Sequence, residues 1–550
     1  MSRAVNIYAK TNIWRSIVDR EITKPRMRKM AVLAASVMMA MSPVSAFAAT
    51  VLINSFVATS DRDTRALGIG LQPPDVNGTV GTTQFAQLQN GSFAAYDKNT
   101  GALLAPRITD SQFFQRAGGE ATGGDVRILF DPNASRWVAI GFGTPGNRIQ
   151  VAVSDTADVL GRFRAVAFNG LSGSPNQING VADYPTLSLA GDRLVIGTNN
   201  FFATVAGGPR NFQGTTVNSL SLASLYAAGG PTTNDLRQFD TPFPAGDNGF
   251  AIQGVGRAPN GNGGFDVLAR GATTRDLVTY SFDANGVKST TRLIGATPTN
   301  GNLPGRQPDL LNTGNARVVD TLDDRISSSV FAAAGRIYSV RTVTIPGQDH
   351  TVVRITVLDD ATKALLSETD ITGPDDTYDF YEGSLAVNSR GEFVVGYVRS
   401  GDASHPIDGN ISIFARSYTT NANGTIRSTS GDILIKQSPV DDYHLGSPQG
   451  QPAAGRQRFG DYSSVSLDPT NDNRFYVINE FADFFNNAAG GNPAGSGFAR
   501  FGTFVGIIGI NQGVNGGVPE PATWAMMITG FGFVGGAVRR RRTMVKAVTA

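Results

Sequence analysis

The sequence predicts an all-β chain folded as a β-propeller of about seven blades, with six as the alternative count. Three observations predict it. Apolar residues come in short alternating runs cut by Gly, Asn and Asp, as in Leu194-Val195-Ile196-Gly197-Thr198 and Phe393-Val394-Val395-Gly396-Tyr397-Val398. Only a few stretches, such as residues 219–228, have helical character. A weak unit recurs: an acidic residue, a few small or aromatic residues, a strand, a turn and a second strand.

Taken in order, the clear units open at Asp125 (DVRILFDPNASRWVAIGFG), Asp183 (DYPTLSLAGDRLVIGTNNF), Asp324 (DRISSSVFAAAGRIYSVRTV), Tyr381-Glu382 (YEGSLAVNSRGEFVVGYV) and Asp461 (DYSSVSLDPTNDNRFYVINEF). Two further copies start near Asp75 and Asn248. The internal turns DPNAS, AGD, AAG, NSRG and DPTND carry hairpin chemistry. Spacings of about 50–80 residues are nearer kelch than WD40 lengths. Radial repetition of such sheets leaves only short, protected edges. An aspartate at each unit start serves as a turn or cap residue, or, if the starts share one face, as part of a carboxylate ring at the channel mouth.

Both ends of the chain are of a different kind. Residues 24–29 (KPRMRK) are a basic n-region, residues 30–41 a twelve-residue apolar core, and Ala46-Phe47-Ala48 a small-x-small site. This is a signal peptide cut after Ala48 by signal peptidase, preceded by an extension of 23 residues unless the true start is Met27 or Met30. At the other end Pro519-Glu520-Pro521 is stiff, non-helical punctuation. Residues 522–538 follow as 17 residues without a charge, then Arg539, Arg540, Arg541 and Arg542. That run is at the short end for a membrane-spanning helix, and its arginines stay cytoplasmic by the positive-inside rule. The expected organisation is therefore a signal peptide over 1–48, a propeller over 49–512, a Gly/Asn linker over 513–518, a sorting segment over 519–542 and a cytoplasmic tail over 543–550.

The tail resembles the PEP-CTERM sorting signal of Gram-negative bacteria, through Pro519, Glu520, Pro521, Trp524, Ala525, Met526, Met527, Gly530, Phe531, Gly532, Gly535 and the arginine block. The resemblance implies an exosortase as processing partner, cleavage near Pro519-Glu520-Pro521, a transient inner-membrane anchor and a final place at the cell surface or outside the cell. A plain C-terminal anchor predicts the same topology without the cut.

The targeting ends also carry the positive charge. The whole chain is formally +2. The first 48 residues hold eight Lys/Arg and two Asp/Glu, and residues 519–550 hold five and one, which leaves the body 34 basic and 42 acidic residues, a net of −8. An acidic body argues against nucleic acid as a partner. With no cysteine, disulfides, thiolate metal sites and cysteine nucleophiles are excluded. Only His350, His405 and His444 are available to zinc, from distant segments.

The body resembles a group of secreted bacterial propeller-like proteins akin to sialidase propellers. The matching stretches are residues 73–78, 93–97, 129–131 with Arg136-Trp137, 182–185, and 459–464 followed by Asn479-Glu480. The resemblance implies the propeller and no secure activity. A retaining sialidase would need a tyrosine nucleophile, an activating carboxylate and arginines for the substrate carboxylate. Arg456, Arg458, Asp461, Tyr462 and Glu480 lie in one stretch and are the candidates for catalysis. Against them stand the missing Ser-x-Asp-x-Gly-x-x-Trp boxes and a body with Trp137 as its one tryptophan. The pairs Asp323-Asp324, Asp375-Asp376 and Asp441-Asp442 read as solvated loops. No cofactor is expected except calcium, for which Asp468 and Asp472 in the DPTNDN turn offer oxygen ligands; the same turn is equally a plain hairpin without the EF-hand glycine and glutamate. The expected function is binding or structural, at the cell surface or on extracellular polysaccharide, and the rival is a surface glycan hydrolase.

Overall fold

The computed structural model describes residues 50–510 apart from 72, 144–145, 172–177, 241–248, 272–275, 287, 293–298, 300–301, 309–317, 374, 441–442, 444–455 and 486–498. The signal peptide with Ala46 and Ala48, the linker, the sorting segment, the cytoplasmic tail and His444 lie outside the described residues.

Among the described residues the strands form antiparallel meanders that follow one another along the chain. The first runs over residues 77–97, the second 127–169, the third 188–240, the fourth 250–292, the fifth 330–371 and the sixth 378–436. The fourth and fifth are joined by a short parallel bridge, Val255 and Gly256 against Val330 and Phe331. The seventh is assembled from both ends of the body. Ser464–Leu467, Arg474–Phe485 and Ala499–Ile510 pair in sequence, and the first strand of the body, Thr50–Ser60, pairs with Ala499–Ile510 as the outermost member.

The meanders stack face to face in a closed ring, because their inner strands are apolar on both faces. In Phe393–Gly401, the side chains of Phe393, Val395 and Tyr397 pack against the fifth meander, while Val394 packs against the seventh. The two-residue period of a strand sends alternate residues to opposite seams. Every seam has its own apolar cluster. Examples are Phe113, Phe114 and Trp137 between the first and second meanders, and Phe85, Tyr96, Tyr476 and Val505 between the first and seventh. This last cluster closes the ring.

Strand direction gives the ring two faces. Each innermost strand starts at its unit opener and runs away from it, so all openers share one face, here called the mouth. The internal turns of the sequence units lie on the opposite face, here called the pole. Helical structure is short: Asp61–Ala66 and Asp110–Arg116, each started by a capping box on Ser60 and Thr109, and Leu222–Leu225. The helical character expected over 219–228 is thus confined to one turn, since residues 219–221 complete the strand Asn211–Ser221.

Candidate functional site: the mouth of the ring

Five residues at or beside the unit openers are held in an uncommon backbone state. Asp75, Asp125, Tyr184, Ala251 and Glu382 have φ between 45° and 54°. That left-handed region suits aspartate but strains a tyrosine, an alanine or a glutamate. Asp75, Asp125 and Tyr184 precede their innermost strands, whereas Ala251 and Glu382 lie within theirs, Glu382 at a register shift between Tyr381 and Ser384.

What results is a run of bonds from meander to meander. The Asp461 amide donates to Asp75 Oδ1 at 2.9 Å, joining the seventh meander to the first. Asn90 Nδ2 donates to Asp75 Oδ2 at 2.7 Å, and its Oδ1 accepts from the Asp125 amide at 2.8 Å. The Tyr184 amide donates to Asp125 Oδ2 at 3.1 Å. The Ala251 amide donates to Asn199 Oδ1 at 2.9 Å. Two residues after the opener a second line repeats: Arg127 Nε donates to the Pro185 carbonyl (2.9 Å), Thr186 Oγ1 to Ile252 (2.6 Å) and Gln253 Nε2 to Ile326 (2.8 Å). Ser463 Oγ and Asn479 Nδ2 both donate to the Glu382 carbonyl, at 2.8 and 3.1 Å.

Tyr184 and Tyr462 reach across the centre. The Tyr184 hydroxyl donates to the Asp461 carbonyl at 3.0 Å and the Tyr462 hydroxyl to the Val126 carbonyl at 3.1 Å. Their rings meet edge to face, 5.9 Å apart. The Arg127 guanidinium lies 3.6 Å from the Tyr462 ring centre, and Arg325 lies 4.6 Å from that of Tyr184. Aromatic rings and cations thus fill the middle of the ring.

Carboxyls are in excess here. Asp75, Glu382 and Glu480 are buried, and Asp125, Asp183 and Asp461 are partly exposed. Burial, followed by the charges of Asp461 and Asp125, holds the Asp75 carboxyl well above the usual carboxylate range. Burial, then Asp183 and Asp461, pushes Asp125 up to about 7. Burial, then Asp461, raises Asp183. Glu382 is raised well above its ordinary value by burial and then Asp461 and Asp320, and Glu480 by burial and then Glu382, Asp75 and Asp461. Neither Glu480 oxygen has a hydrogen-bond partner among the described residues. The carboxyls of Glu480 and Glu382 face each other across Gly460, where a Cβ would come within 3.0 Å of Glu480 Oε1. Burial and mutual repulsion both disfavour the charged form of these carboxyls.

The sequence candidates are therefore brought together at the mouth. Arg458 pairs with Asp461. Arg456 pairs with Asp320 at 2.5 Å. The Tyr462 phenol is buried, engaged as a donor, and raised well above its ordinary value by burial. A nucleophile needs the reverse. Arg127, Arg325 and Tyr184 were absent from the sequence candidates; the repeat of the unit openers was the signal that pointed to Tyr184 and Arg325.

The calcium candidates lie on the pole. Asp468 is buried, and its Oδ1 takes the Lys98 ammonium at 2.9 Å along with the Thr470 amide and hydroxyl. A lysine occupies the place of a cation. Asp472 pairs with Arg390 at 2.8 Å and accepts from the Ser389 hydroxyl. No group of three His, Asp or Glu side chains among the described residues is arranged to hold a metal ion. Asp324, expected in a solvated loop, is fully buried against Arg270 at 2.5 Å, because its neighbours form the seam of the fourth and fifth meanders. His350 is buried and His405 stacks on Tyr378, 3.9 Å between ring centres.

No curated protein matches the sequence. Among solved structures the chain is similar to a protein of unknown function from Dyadobacter fermentans (10% identity, 84% of this chain and 99% of that one, TM-score 0.38). It is also similar to the extracellular domains 1–2 of Drosophila Semaphorin 1a (9%, 86% and 90%, TM-score 0.38) and to Trypanosoma rangeli sialidase (12%, 69% and 52%, TM-score 0.33). Likeness this remote carries no function, and the ring rests on its own strand pairing. Residues 517–542 match the PEP-CTERM protein-sorting motif, so behind its ring of meanders the chain carries a signal that implies export and exosortase-dependent sorting.

Proposed function

We propose that the protein is a seven-bladed propeller placed at the surface of a Gram-negative cell or in its extracellular matrix, where it binds or supports extracellular polysaccharide and catalyses no reaction. Signal peptidase and an exosortase process its two ends. The observation that carries the non-catalytic reading is the bond from the Tyr462 hydroxyl to the Val126 carbonyl beneath Arg127. Tyr462, the candidate nucleophile beside Arg127 and the mouth carboxyls, spends its hydroxyl in joining the seventh meander to the second. Supporting it, the aspartates Asp75 and Asp125 spend their oxygens on amides of neighbouring meanders.

The test exposes the purified protein to a panel of surface and matrix glycans. Binding without change in the glycan is the expected result. Turnover that disappears in Tyr462→Phe or Glu480→Gln would replace this reading with that of a surface glycan hydrolase. Intact-mass measurement of the protein from cells reads processing separately, with loss of residues 1–48 and of the tail near Pro519 expected.

A further inference from the structure

The directions of the strands determine which face the sorting tail leaves. Ser464–Leu467 starts at the mouth, just after Asp461, and runs to the pole. Arg474–Phe485 returns, since Leu467 pairs with Phe475 and Ser464 with Ile478. Ala499–Ile510 runs to the pole again, pairing Ala499 with Phe485 and Gly509 with Arg474. Its last residue, Ile510, donates its amide to the carbonyl of Asn473, in the pole turn that follows Asp468. The body's first residue lies at the same point: Thr50 pairs directly with Ile510. Both chain ends therefore leave the ring side by side from the pole, on the far side of the sheet from the carboxylate mouth.

From this register we propose that the sorting tail holds the protein by its pole, with the acid-lined mouth turned away from the membrane and open to partners outside. The proposal rests on the reading of residues 522–538 as a membrane segment. Eleven residues, 511–521, separate the sheet from the apolar run that opens at Ala522. Fully extended they span at most about 40 Å, comparable to the rise of about 36 Å along the strand Ala499–Ile510. The tether joins the body at the pole, so the pole is the face nearer the membrane and the mouth the farther one. The membrane-embedded sorting enzyme would meet a folded body from its pole side, and the N-terminal cut after Ala48 falls two residues before the paired Thr50. The surface left for a partner is the mouth. Asp125, Asp183 and Asp461 are its partly exposed acids, whose carboxyl oxygens suit the hydroxyl groups of a polysaccharide.

The absence of cysteine from the chain makes the test direct. Ala403 on a mouth loop and Ala422 on a pole turn belong to the same meander, and both are exposed. Each is changed to cysteine in the full chain with Pro519, Glu520 and Pro521 replaced by alanine to block the cut. The dye-labelled proteins are placed in proteoliposomes containing an acceptor lipid. Energy transfer at Ala422→Cys should exceed that at Ala403→Cys about twofold or more, and detergent should abolish the difference. Equal transfer, or more at Ala403→Cys, overturns the proposal. Ser404→Cys and Asn423→Cys repeat the comparison should a first variant fail to fold. A protein that does not enter the liposomes at all would refute the membrane segment instead, a result distinct from either transfer pattern.

Discussion

The mouth and the pole join the same meanders by opposite means. At the pole, several seams are clasped by ion pairs or by arginine on a turn carbonyl. Lys98 meets Asp468, Arg390 meets Asp472 and Arg257 meets Asp360 at 2.9 Å, while Arg336 donates to the Asn421 carbonyl at 2.8 Å. At the mouth, aspartates accept backbone amides and carboxyls outnumber the arginines beside them. The contrast teaches that an aspartate's role is set by what faces it. Asp468 is an ion-pair member because Lys98 faces it; Asp75 is an amide acceptor among other acids and is held toward its neutral form.

If the contrast is real, breaking the pole should cost most. Lys98→Met leaves Asp468 buried without its cation, and removing one partner of a buried pair costs about 3–5 kcal/mol. Chemical denaturation should show that loss; a change below 1 kcal/mol would deny the pair its role. At the mouth, Asp75→Ala strands the Asp461 amide and should cost about 1–3 kcal/mol, whereas Asp75→Asn keeps an acceptor and should stay within about 1 kcal/mol of the parent.

Titration sharpens the comparison further. Asp125 is raised to about 7 in the folded chain, so between its unfolded value and 7 the folded state binds more protons than the unfolded one. Stability should then fall as pH rises from about 4 to 7, with the same sign from Asp75 and Asp183. Asp125→Asn should flatten that slope in denaturation curves taken across the range. An unchanged slope would show that Asp125 is not raised by its burial and neighbours in the fold. The smallest effect is expected at the solvent-exposed pair: Arg390→Ala should cost less than about 1 kcal/mol and lose its effect in high salt.

Much of this architecture was legible in the sequence. The turns DPNAS, AGD, AAG, NSRG and DPTND all connect the first two strands of a meander, and the openers fall at the mouth, because turn chemistry and alternation are local. The closing strand was not legible. Thr50 and Ile510 are partners 460 positions apart, and no local pattern announces such pairing. Nor was the fate of Tyr462. Arg458, Asp461 and Tyr462 in one stretch read as catalytic parts, and only the arrival of Val126 and Arg127 from the second meander shows the phenol engaged. The partner of Asp468 is another distant residue, Lys98, which no local pattern announces.

The central claim is that the mouth closes the ring instead of doing chemistry, and Tyr462→Phe tests it most directly. Removing the hydroxyl leaves the Val126 carbonyl without that donor and should lower the unfolding free energy by about 1–3 kcal/mol, with no glycan turnover in parent or variant. Unchanged stability together with a parental turnover that the variant lacks would contradict the account.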